Sequence, residues 1–65
     1  MKHSEFWLRM EQHLDGFHYA RVWADSHVMS ELGGRTVTQA LDAGEPPKTV
    51  WRVVHATLGL PPSER

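Results

Sequence analysis

The sequence predicts an all-α protein: a compact bundle of three to four short helices, the last two in a helix-turn-helix-like arrangement. Three observations carry that expectation. Thr36 and Gln39 stand three apart as a capping box, in which side-chain oxygens take up two amides that a helix start leaves unpaired. Gly44 falls where a helix of two turns needs a left-handed residue, and Pro46 and Pro47 follow where a new helix tolerates proline. Along the rest of the chain, apolar residues recur at helical spacing and no sheet is expected.

Taken in order, the first helix has Ser4 as its expected N-cap and Glu5 at the positive end of its dipole. Phe6, Trp7, Met10 and Leu14 then share one stripe, which Arg9, Glu11 and Gln12 avoid. Leu8 projects from the far side, and Gly16 ends the helix. A second helix is expected from Phe17 to about Leu32, with Tyr19, Ala20, Trp23 and His27 on one side and Val28 and Leu32 nearly opposite. Apolar character on two sides predicts a central position, in contact with the first helix and the later pair. Gly33 and Gly34 stop it.

The third helix, Val37 to Ala43, buries Val37, Ala40 and Leu41 and is too short to persist without tertiary packing. From Pro46 the fourth shows Val50, Trp51, Val53, Val54 and Leu58 on a broad face, with Lys48, Arg52 and His55 opposite. Gly59 and Leu60 fit a Schellman ending, and Pro61 and Pro62 bar continuation. The expected core is Phe6, Met10, Leu14, Trp23, Val28, Leu41, Val50, Trp51, Val54 and Leu58. One domain is expected over residues 1–65, with 61–65 a short tail.

Bulk composition narrows the function. At 40% hydrophobic and 23% charged residues, the chain is a globular domain and not a disordered one. Seven basic residues against eight acidic give a net charge of −1, so polyanion binding would need a local patch. Cysteine is absent, which removes disulfides and thiolate zinc sites and, in so small a chain, favours the cytoplasm. No run spans a bilayer and the opening MKHSEF lacks a signal-peptide core, so no membrane partner is expected.

Catalysis and cofactors are not expected. The five histidines lack the spacing of converging metal ligands: His13 and His18 straddle Gly16, and only His27 with Glu31 stands four apart. His27, beside Trp23, reads as a packed histidine with one ring nitrogen bonded. Asp25, Ser26 and His27 have triad residue types, yet successive helical residues diverge by about 100° and cannot meet at one atom. Gly33 and Gly34 lack the strand and the Lys-Ser/Thr of a phosphate loop.

Two binding classes remain. The preferred one is a non-enzymatic protein-interaction or self-association module, anchored by aromatic and apolar side chains such as Trp7, Leu8 and Trp51. The alternative is a DNA-binding helix-turn-helix, for which Ala40, Gly44, Val50 and Val53 have the spacing and Lys48, Thr49 and Arg52 the outer positions. Asp42 and Glu45 offset most of the charge of Arg35, Lys48 and Arg52 there. In either class the candidate surface is Arg35, Lys48, Thr49, Arg52 and His55.

The segments HSEFWLRM, YARVWADSHV, ELGGRTVTQAL, GEPPKTVWRVV and LGLPPSER resemble a family of short actinobacterial proteins known as domain of unknown function family 3046. The resemblance spans nearly the whole chain. It implies an all-helical, cytosolic bacterial protein with no assigned activity, cofactor or catalytic residue. It also implies a gene neighbourhood with a DNA recombinase and its regulator, which would lend the DNA-repair alternative some weight.

Overall fold

A computed structural model describes residues 1–61. Among them are four α-helices: α1 (His3–His13), α2 (Phe17–Ser26), α3 (Val37–Asp42) and α4 (Pro47–Leu58). A 3-10 turn, Ser30–Leu32, lies between α2 and α3, and the only strand-like pairing among the described residues is an isolated bridge from Met29 to Arg35. Pro62 and the expected tail, Ser63 to Arg65, lie outside the described residues.

The capping box forms as its spacing requires. The Gln39 amide donates to the Thr36 hydroxyl at 3.1 Å, and the Thr36 amide donates to the Gln39 side-chain oxygen at 2.9 Å. Fixing both ends of the first turn lets a helix of six residues persist against its packing partners. Gly44 is left-handed, at φ 95°, and its amide closes onto the Leu41 carbonyl at 3.1 Å. Pro46 and Pro47 then start α4, and Gly59 at φ 67° ends it, with the Leu60 amide reaching back to the His55 carbonyl.

Two boundaries differ from expectation. The Phe6 amide reaches the Lys2 carbonyl at 3.0 Å, so α1 is already wound at Ser4, and Lys2 is its N-cap. The second helix stops at Ser26, well short of Leu32. His27 and Met29 adopt extended backbone, and the chain turns back so that the Met29 amide donates to the Arg35 carbonyl at 3.0 Å. Apolar residues recur through Leu32 because the loop also contributes to the core, which periodicity alone cannot distinguish from a longer helix.

That turn reverses one assignment in the core. Neighbours along extended backbone point to opposite sides, so Met29 enters the core at 5% exposure while Val28, expected there, stands 63% exposed. The Thr57 hydroxyl donates to the Met29 sulfur at 3.5 Å, tying this loop to α4. Met29→Ala is therefore expected to cost about 2 kcal/mol or more. Val28→Ser, an equally apolar position by sequence, should stay within about 0.5 kcal/mol. Urea midpoints of the two variants measure the difference; equal losses would place Val28 inside.

Of the other expected core residues, Phe6, Met10, Leu14, Trp23, Leu41, Val50, Trp51 and Val54 are buried and Leu58 is half-buried against them. Ala20, Ala24, Leu32, Val37 and Ala40 complete the cluster. The principal helix contacts run round a ring, α1 on α2, α2 on α3, α3 on α4 and α4 on α1, so α2 is one wall and not the centre. No helix among the described residues is long and apolar enough to cross a membrane.

Candidate anion-binding cleft between α1 and α4

Trp51 is the joint between α1 and α4. Its ring meets Phe6 edge-on, with centroids 6.1 Å apart at 88°, and lies 6.0 Å from the His13 ring. Beside this contact the two helices leave a cleft of about 570 Å³, lined by Met1, Glu5 and Arg9 on one side and Lys48, Trp51 and Arg52 on the other. Helical repeat explains the lining, since Glu5 and Arg9 are four residues apart on α1 and Lys48 and Arg52 four apart on α4.

The cleft is cationic in a protein whose net charge is −1. Among the lining side chains, Arg9, Lys48 and Arg52 supply three positive charges and Glu5 one negative, leaving 3 − 1 = +2. Glu5, exposed, holds the half-buried Arg9 at 3.6 Å, a long pair of the kind that contributes little to stability and gives way to a better acceptor. Lys48 and Arg52 are exposed and have no ion-pair partner among the described residues.

Trp51 adds a second feature. The residue is 2% exposed, and its indole Nε1 is the only buried side-chain polar atom without a hydrogen-bond partner among the described residues. Leaving such a donor unpaired costs about 1–3 kcal/mol. The faces and edges of the large ring make its packing contacts, and its polar edge has no acceptor among the described residues.

The structure brings together two of the five residues expected to form a surface. Lys48 and Arg52 line the cleft, whereas Arg35 is exposed near the Met29 bridge and Thr49 is exposed on α4 outside the lining. His55 is half-buried, and its Nε2–H donates to the Pro61 carbonyl at 2.8 Å, so it secures the end of α4. Arg9 was not anticipated, because only tertiary packing sets α1 beside α4. The available signal was the Glu5–Arg9 pair, an i, i+4 arrangement off the buried stripe. Of the expected aromatic and apolar anchors, Trp51 is core, Trp7 is half-buried with the Arg21 guanidinium 4.4 Å from its ring centre, and Leu8 is exposed.

The remaining candidates do not assemble. His27 is exposed and stacks on Trp23, centroids 4.6 Å apart at 16°, in place of the packed, bonded histidine expected. It no longer shares a helix with Glu31, and no group of three or more His, Asp or Glu able to hold a metal occurs among the described residues. Asp25 accepts from the Thr38 hydroxyl and Ser26 donates to the Val22 carbonyl, so each serves the fold separately.

A family model described as protein of unknown function (DUF3046) matches residues 1–63, and the chain belongs to that family. No curated protein and no solved structure matches it.

Proposed function

We propose that this family member is a non-catalytic binding module that recognises an acidic segment of a partner protein in the cleft between α1 and α4. The observation that carries the reading is the convergence of Arg9, Lys48 and Arg52 on one concave surface, with a single carboxylate among them. An incoming carboxylate would compete with Glu5 for Arg9 and meet Lys48 and Arg52, which have no ion-pair partner among the described residues, while Met1 flanks an adjoining apolar residue. Because the whole protein is close to neutral, the attraction acts over about one Debye length, roughly 8 Å at physiological salt, and salt should weaken it.

A second reading, DNA binding by a helix-turn-helix, draws on the four-residue turn from Ala43 to Pro46 and on exposed Lys48, Thr49 and Arg52 at the start of α4. Asp42 and Glu45 are exposed around that turn, where a phosphate backbone would have to pass, and a local surplus of two charges neutralises few phosphates. Fluorescence anisotropy with a labelled Asp/Glu-rich peptide, a basic peptide of equal length and a DNA duplex separates the readings. The acidic peptide should bind and weaken with salt, with no binding of the basic peptide. Tighter binding of the duplex, or none of any probe at low salt, would overturn the proposal.

A further inference from the structure

Resting on that reading of the cleft, we propose that the group it is built to take is a phosphate monoester dianion, the charge and shape of a phosphorylated side chain. The argument is one of matching. Three cationic side chains and a net local charge of +2 face the opening. A single carboxylate carries one negative charge and is fully engaged by one guanidinium in a bidentate pair, which would leave two cations unmatched. A phosphate monoester carries about −1.5 to −2 charges at pH 7 and three acceptor oxygens, one for each of Arg9, Lys48 and Arg52.

Trp51, between Lys48 and Arg52 on α4, lines the same cleft. A tetrahedral dianion with several oxygens satisfies more donors at once than a planar carboxylate does.

The experiment is a titration of the full chain, by calorimetry at fixed ionic strength, with four probes: inorganic phosphate, a phosphoserine peptide, the same peptide with serine, and the same peptide with glutamate in its place. The phosphoserine peptide should bind at least tenfold tighter than the glutamate peptide, and inorganic phosphate should displace it. Arg9→Gln, at a partly exposed position, should reduce that preference severalfold with no loss of helical circular dichroism. If inorganic phosphate binds as tightly as the peptide, the source is a small phosphate and the chemistry stands. If the glutamate peptide binds as tightly as the phosphorylated one, the phosphate inference falls and the acidic-segment reading survives. Binding of none of the four sinks both.

Discussion

Replacing Trp51 by alanine is expected to unfold much of the population at 25 °C. The residue is 2% exposed and closes the junction of α1 with α4 by meeting Phe6, itself fully buried, edge to face. Phe6 in turn meets Trp7 at 5.3 Å and 86°, so the rings form a chain whose middle members depend on one another. Removing a buried tryptophan side chain costs about 3–5 kcal/mol, and the orphaned indole donor returns only a part of that. Against this, a chain of 65 residues has a total stability of roughly 3–10 kcal/mol at about 0.05–0.15 kcal/mol per residue. At about 4–8 °C per kcal/mol, the melting temperature should fall by roughly 12–40 °C. Thermal melts followed by far-ultraviolet circular dichroism test this, and a fall of only a few degrees would mean that Trp51 is not the joint between the helices.

The paired reversal Lys48→Glu and Arg52→Glu is expected to do the opposite: to leave the fold intact and remove the binding. Both side chains are exposed and neither has an ion-pair partner among the described residues, so the melting temperature should move by no more than a few degrees. The cleft, however, changes from +2 to 1 − 3 = −2, with Arg9 alone opposing three carboxylates. Affinity for an acidic peptide should fall by about a hundredfold or more, chiefly because like charges at a recognition site cost several kcal/mol. Reversing Arg35 in the same way should change affinity little, since it does not line the cleft. Equal losses from Arg35 and from the Lys48 and Arg52 pair would point to a diffuse field and not to a site.

These two results probe different layers of what the chain encodes. Local chemistry was legible wherever a side chain and its own backbone settle the conformation: Thr36 with Gln39, Gly44 after α3, Pro46 and Pro47 before α4, and Gly59 after it all act as their residue types require. The end of α2 was not legible, because Val28 and Leu32 prolong a helical pattern that the Met29–Arg35 bridge interrupts, and that bridge is a contact between residues six apart in a loop. A local pattern carries no information about such a contact until the neighbouring helices fix the loop.

The candidate site divides in the same way. Lys48 and Arg52 could be read from the exposed stripe of α4, since one helix defines both positions. Arg9 and Glu5 could not be added to them, because their nearness to α4 follows from how Phe6 packs on Trp51. His55, on the same predicted stripe, is drawn instead to the Pro61 carbonyl by the turn that Gly59 imposes. A helical stripe thus gives a face, and tertiary packing selects which of its residues share a cleft.

The most direct measurement is chemical-shift mapping of the isotope-labelled protein during titration with an acidic peptide. Backbone amides near Glu5, Arg9, Lys48 and Arg52 and the indole N–H of Trp51 should move together in fast or intermediate exchange, while Arg35, Thr38 and the exposed Tyr19 and Val22 of α2 stay in place. Movements confined to Arg35 and Thr49, or to the Tyr19–Val22 face of α2, would contradict the assignment of binding to the cleft between α1 and α4.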